Sequence, residues 1–359
     1  MNFDTIANKA LEGREIEPAE ALYLFQARGR EQEEVLALAH GINSRLNGRK
    51  VTYVRNRNFN FTNVCTVKCK FCGFCRDEFD PEAFFLGADH LIRKIRQAPE
   101  VTEVCIQGGI HPRLELAHYL NLLRRVKEEY PRIHIHGISP QEVFSLAEKS
   151  GRSLKRTIAA LMEAGLGSMA GTAAEILVDR VRREICPGKI SSAQWVEVVK
   201  IAHRLGLKSS ATMLFGHIES PEEIVEHLSV IRGVQRETGG FTEFVPLLFI
   251  PYFTPLGGES SLNSAAPWNF IRKVYALSRI YLSPSIKNLQ TSWVKLGVER
   301  ALDVLNTGAN DFGGTLFEES ITRSAGGSFG EFLGVEQIRT SLIRRGKIPA
   351  ERDTLYGTV

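Results

Sequence analysis

Eight short runs of β character, separated by amphipathic helical stretches, constrain this chain more than any other feature. They fall at 58–62, 102–107, 133–138, 166–170, 209–216, 241–249, 286–292 and 309–313. Between them lie helical patterns such as 117–129, 193–205 and 221–237, the last opened by Pro221-Glu222-Glu223, an order suited to a helix start. Strand and helix alternating in this way predict an α/β fold, parallel βα units closed into a (β/α)8 barrel of the TIM type. With 359 residues, 43% of them hydrophobic, the chain can bury one such core. Residues 1–50 carry apolar positions at helical spacing and are expected to form an N-terminal helical extension. Residues 51–320 are expected to form the barrel, and 321–359 a C-terminal helical segment packed on it.

Strand parity says what the barrel holds. In Asn58-Phe59-Asn60-Phe61-Thr62 the polar residues fall on one face and the phenylalanines on the other. Ile133-His134-Ile135-His136 sorts in the same way, and Asn288, Gln290 and Ser292 share a face of the seventh run. Helices cover the outside of a barrel, so the apolar faces belong outside and the polar faces in the lumen. A barrel that only had to pack would place branched aliphatics there. Unpaired amides cost about 1–3 kcal/mol each, so these side chains are expected to meet a polar ligand rich in hydroxyls or ring nitrogens.

Cys65, Cys69 and Cys72 are spaced Cys-x-x-x-Cys-x-x-Cys and offer three thiolates to a metal centre. Four would close a cubane iron–sulfur cluster and suit it to electron transfer, whereas three leave one iron open to a substrate or cosubstrate. A structural zinc site normally takes four ligands from two paired half-sites. Here Cys75, Cys105 and Cys186 stand singly. Cys75 is close enough in sequence to add a fourth thiolate, which would remove the open iron; it is expected not to do so.

The strand ends, where barrel active sites lie, hold the other candidates. The cysteine loop follows the first run, Gln107-Gly108-Gly109 ends the second, His136 ends the third, and Ser168 and Gly171 close the fourth. His217 follows the fifth, Glu243 lies in the sixth and Asn310-Asp311-Phe312-Gly313-Gly314 occupies the last. His136, His217 and Glu243 are the candidates for moving protons.

The net charge of +4 is modest, and Lys and Arg are interspersed with Asp and Glu, which does not describe a nucleic-acid groove. The N-terminus has no basic, apolar leader pattern, and nowhere do about 18 apolar residues run together. A cytoplasmic protein with reduced cysteines, and with no membrane or nucleic-acid partner, is expected.

The cysteine motif, with Phe71 before its last member, resembles that of the radical S-adenosylmethionine (SAM) superfamily. That resemblance implies a [4Fe-4S] cluster on Cys65, Cys69 and Cys72 whose open iron binds SAM, with an external electron donor. It also implies SAM contacts from Gln107, Gly108, Gly109, Glu175 and Arg182. Asn58 to Asn63, Gln107 to Pro112, Gly171 to Leu177, Thr238 to Phe244, Thr291 to Gly297 and Ala309 to Thr315 resemble the second component of the 7,8-didemethyl-8-hydroxy-5-deazariboflavin synthases. The likeness runs from about residue 50 to 325.

For that family the resemblance implies a transferase acting on L-tyrosine and 5-amino-6-(D-ribitylamino)uracil in deazaflavin biosynthesis. A 5′-deoxyadenosyl radical takes hydrogen from the tyrosine amino group, Cα–Cβ breaks, and the 4-hydroxybenzyl group adds to the uracil. The product goes to a partner radical SAM enzyme that closes the ring. A ribityl chain and a uracil ring match Asn58, Asn60, Asn288, Gln290, Ser292 and Asn310. Radical SAM enzymes of the futalosine route to menaquinone share the barrel and the cysteine motif but resemble this chain less. A non-catalytic metal-binding protein is the reading of another class, and the polar lumen opposes it. The chain departs from the family at Gly73, usually Ala, and at Cys75, usually not cysteine.

Overall fold

A computed structural model describes residues 2–258 and 264–359. Nine strands are named among them. β1 (Lys50–Val54), β2 (Asn56–Asn60), β3 (Glu103–Gln107), β4 (His134–Gly137) and β5 (Ser168–Met169) come first. β6 (Ser209–Phe215), β7 (Phe241–Leu248), β8 (Asp311–Gly314) and β9 (Ile348–Glu351) follow. β2 to β7 form a six-stranded parallel sheet in chain order, and β8-β1-β9 form a second, also parallel. The two are continuous through the chain, since only Arg55 separates β1 from β2. On the far side, isolated parallel bridges Phe244↔Leu289 and Gln290↔Asp311 join β7 to β8.

The architecture is α/β with parallel strands as expected, but in place of eight equal strands of a (β/α)8 barrel it has a curled parallel sheet of six, β2 to β7, supplemented by β8-β1-β9. Segment 286–292 forms bridges and no strand: it crosses from β7 to β8 within two residues, then turns into the helix Trp293–Leu296. The fourth run shrinks to two residues, in keeping with its weak β-propensity. The C-terminal segment holds helices Ser320–Ser324 and Val335–Arg344 but also β9, which pairs with β1 and carries the chain end under the barrel. Helices Phe3–Leu11, Pro18–Gln26 and Gly29–Asn47 precede the sheet.

Alternation positions the lumen. Val104, Ile106 and Ile135 point outward into the helices and are fully buried there, each such side chain contributing about 1.5–3 kcal/mol. Their neighbours Glu103, Cys105, Gln107 and His136 face inward. Helix starts are set by local caps: Ser220 accepts from Glu223 N ahead of Pro221–Thr238, and Ser139 does the same for Glu142 ahead of Pro140–Ser150.

Candidate active site

The inward residues enclose one cavity of about 390 Å³, a size suited to small molecules. Its mouth carries Cys65, Cys69 and Cys72, all free thiols. Their loop is held by its backbone: Cys65 N donates to Arg76 O (3.2 Å), Lys70 N to Ile185 O (2.8 Å) and Cys72 N to Cys69 O (3.1 Å). Val67, Ile176, Ile185, Phe249 and Leu256 pack around the thiols as an apolar nest. Burial pushes the Cys69 and Cys72 thiols up, and a hydrogen bond with Cys75 draws Cys65 down. Among the described residues, no three His, Cys, Asp or Glu side chains are grouped to hold a single metal ion.

Gly73, unusual beside the resembling family, has a local reason. A Cβ there would lie 2.3 Å from Ser324 O, because the loop rests on the C-terminal segment. Cys75 Sγ donates to Cys65 O at 3.2 Å and lines the cavity. Serine preserves that bond, so Cys75→Ser is expected to keep wild-type iron content and SAM cleavage; loss of iron on reconstitution would make Cys75 a ligand.

The lumen floor is a charged network. Arg352, from the residue after β9, donates from Nε and Nη2 to Asp311 at 2.5 and 3.1 Å and sits 3.5 Å from Glu243. Glu243 Oε2 also accepts from Gln290 Nε2 (3.0 Å) and Tyr356 OH (2.5 Å). Burial raises the Glu243 carboxyl to about 7, Arg352 opposing and Asp311 adding. Unfolded, the group titrates near 4.5. Between these values the native state holds a proton that the unfolded chain has released, so stability falls as pH rises through that window, by about 3 kcal/mol. Glu243→Gln is expected to make the fall between pH 5 and 8 in urea unfolding shallower, the rest coming from Glu142, whose carboxyl burial also raises to about 7; an unchanged slope would refute it.

Of the other sequence candidates, Asn58, Gln107, Gly108, Gly109, His136, Glu175, Gln290 and Ser292 line the cavity. His136 Nδ1 meets Ser168 Oγ at 2.7 Å, and burial lowers its pKa. Glu175 is ion-paired with Lys189.

Five candidates do not line it, each because local groups claim the side chain. His217 is fixed between Leu214 O (3.1 Å) and Glu219 (2.9 Å). Arg182 spends its donors on the carbonyls of Ala173, Ala174, Ile176 and Ile190. It thereby holds a loop in which Ala173 and Glu175 have positive φ, a strain of order 1–3 kcal/mol each. Asn60 accepts from Ser320 Oγ (2.9 Å). Asn288 donates to Thr242 O (2.9 Å) and accepts from Asn310 Nδ2 (3.3 Å), while Asn310 Oδ1 takes Arg279 Nη2 (2.6 Å). Those amides brace the wall from behind.

Sequence reasoning missed Arg352, Lys189, Lys295 and Glu142. Glu142 had a signal, the capping box Ser139-Pro140-Gln141-Glu142. Its Oε2 takes Ser139 N and Oγ (2.7 and 2.8 Å), while Oε1, buried at the cavity wall, has no partner.

Residues 59–231 match the model of the Radical SAM superfamily, and 238–359 match the CofH/MqnC C-terminal region. Among solved structures, methylornithine synthase PylB superposes with TM-score 0.73 at 19% identity, covering 96% of this chain and 97% of that one. HydG from Carboxydothermus hydrogenoformans gives 0.75 at 15%, covering 99% and 80%. Fold, cysteine loop and sequence match together define a radical SAM enzyme, a class that uses a [4Fe-4S] cluster and SAM. A 5-amino-6-(D-ribitylamino)uracil–L-tyrosine 4-hydroxyphenyl transferase of Methanococcus maripaludis is 45% identical over 348 residues, 96% of this chain and 97% of that one. The one from Methanothermobacter thermautotrophicus is 43% identical over 361 residues, 99% and 98%. The chain belongs to this family of transferases.

The residues present fit the implied groups. Three free thiols, Cys65, Cys69 and Cys72, on one loop in an apolar nest at the cavity fit the thiolate donor set of an iron–sulfur cluster. The orphaned Glu142 Oε1 beside them offers an acceptor to a cationic ligand.

Proposed function

We propose that this protein transfers the 4-hydroxybenzyl group of L-tyrosine to 5-amino-6-(D-ribitylamino)uracil in deazaflavin biosynthesis. One observation carries the reading: the chain matches named transferases of that reaction at 43–47% identity over at least 90% of its length. Cys65, Cys69 and Cys72 hold the cluster; Gln107, Gly108, Gly109, Glu142 and Glu175 face SAM. When bound, cluster and SAM supply an electron and a 5′-deoxyadenosyl radical.

The chain's own residues do the rest. Asn58, Gln290 and Ser292 bind uracil and ribityl groups with amides and a hydroxyl that already line the lumen. His136 and Glu243 are the proton carriers, Glu243 being fixed by Tyr356 OH and Gln290 Nε2, which both donate to its Oε2. The apolar walls Val245, Leu247 and Phe249 keep water from the reacting carbons. Among the described residues no helix is long and apolar enough to cross a membrane. We place the reaction in the cytoplasm, with an external electron donor and delivery of the product to the ring-closing radical SAM partner.

The test is anaerobic reconstitution, then incubation with dithionite, SAM, L-tyrosine and the aminouracil, with products read by mass spectrometry. The coupled adduct and 5′-deoxyadenosine are expected together. Deoxyadenosine without adduct would redirect the substrate assignment to the menaquinone-route compounds.

A further inference from the structure

Three cations line the lumen: Lys189, Lys295 and Arg352. Lys189 is committed to Glu175, and Arg352 to Asp311 and Glu243. Among the described residues, no carboxylate lies within ion-pair distance of the Lys295 ammonium, although Glu319 and Glu175 act on it from further off. Its placement is nonetheless fixed. Lys295 belongs to the helix Trp293–Leu296, pinned by Trp293 Nε1 to Gly314 O (2.9 Å), and its own N–H donates to Ser292 O (3.1 Å).

The nearest carboxylate by electrostatic influence, Glu319, is engaged elsewhere: its oxygens accept from Thr322 N at 3.0 and 3.3 Å, and burial raises its pKa. Burial likewise lowers the pKa of Lys295. Lys295 is half-buried, and its Nζ meets the cavity with no protein partner among the described residues, so an entering carboxylate gains a charge-assisted hydrogen bond there. The aminouracil has no anionic group, whereas both SAM and tyrosine carry an α-carboxylate. Gln107 to Gly109, Glu142 and the Glu175–Lys189 pair make the wall assigned to SAM. Lys295 lines the same cavity from the helix Trp293–Leu296, within electrostatic reach of Glu175 and Cys72 as well as Glu319, and since the open iron is the site the SAM amino acid would take, the carboxylate left for Lys295 is that of tyrosine.

We propose that Lys295 is the carboxylate subsite for the amino-acid substrate, holding the α-carboxylate of L-tyrosine through Nζ. This rests on the transferase reading above and deepens it. Nζ anchors the end of tyrosine that is left behind and frees the phenol to point toward the polar floor.

Binding to the reconstituted protein tests it, using L-tyrosine, SAM, and tyramine, which keeps the phenol and amine but lacks the carboxylate. Wild type should prefer tyrosine to tyramine by about 10- to 100-fold, the scale of one charge-assisted hydrogen bond. Lys295→Met should erase that preference and leave SAM affinity within about twofold, while Lys295→Arg retains most of it. Lys295→Gln serves the same purpose if the Met variant fails to load iron. A preference that survives in the variants overturns the assignment. So does a selective loss of SAM affinity, which would give Lys295 to the methionine carboxylate. Wild type that binds neither tyrosine nor tyramine overturns the substrate reading as well.

Discussion

Replacing Cys69 with alanine is expected to abolish SAM cleavage and cut the iron retained after reconstitution, with little change in fold. Of the three loop thiols Cys69 is the one buried, at 8% exposure, and it faces the apolar nest of Val67, Ile185 and Phe249. The loop's shape comes from backbone hydrogen bonds, Lys70 N to Ile185 O and Cys72 N to Cys69 O, and from contact with the C-terminal segment at Gly73. None of these needs the Cys69 sulfur. Even the outer partners of a metal site are worth about 10–100-fold in affinity, so losing a direct ligand should exceed that range. Cys105 provides the control, since it lies on β3 in the lumen, away from the loop. Cys105→Ala should keep its iron and its 5′-deoxyadenosine production. Iron retained by Cys69→Ala, or lost equally from Cys105→Ala, would refute the assignment. The readouts are iron per chain, circular dichroism and deoxyadenosine yield.

What sequence could show depended on how local the determining interactions are. The cysteine spacing is a property of eight consecutive residues, and strand parity is a property of five, so both were legible. Parity placed Asn58 and Gln290 in the lumen with no knowledge of neighbours. It failed for Asn60 and Asn288, because whether a correctly facing amide is free depends on a distant residue: Ser320 claims Asn60 and Thr242 claims Asn288; Asn310, chosen by its place at a strand end, is claimed by Arg279. His217 and Arg182 failed for the opposite reason. Both are consumed by backbone and side-chain groups within nine residues of themselves, contacts that period-based reading does not register. Arg352 was out of reach, since nothing near it in sequence announces that β9 will pair with β1 some 300 residues earlier and deliver a guanidinium to the lumen floor. The seventh strand expected, at 286–292, was lost to competition: Gln290 N donates to Phe244 O on one side and Thr291 N to Asp311 O on the other, so neither ladder extends.

Gly109→Ala should be as damaging to the cluster site as the loss of a ligand, although it removes no functional group. The Gly108-Gly109 pair reads in sequence as an opening for a ligand to approach. In the structure it also admits the protein's own chain. A Cβ on Gly109 would lie 2.2 Å from Val64 O, 2.8 Å from Val64 C and 2.9 Å from Cys65 Cβ, and one on Gly108 would strike the Phe61 ring at 2.5 Å. Two of the Gly109 contacts are backbone, which no rotamer change relieves. Gly109 itself is tied in place, its N–H donating to Thr62 O at 2.9 Å and its carbonyl accepting from His111 N at 3.0 Å. The loop must therefore move, and the atom that moves with it is the Cys65 sulfur. Overpacking of this kind costs about 1–3 kcal/mol in stability. The larger consequence is geometric, because a thiolate displaced by about 1 Å no longer meets iron at bonding distance. Most of the iron should be lost on reconstitution while the rest of the barrel stays folded. Gly41→Ala is the matched control: it lies within the helix Gly29–Asn47, where an added Cβ meets nothing within 4 Å. There alanine should stabilise by about 0.5–1 kcal/mol and leave iron unchanged. Full iron loading and deoxyadenosine production by Gly109→Ala would mean that the loop tolerates displacement, and that contact with the end of β3 does not set the position of Cys65.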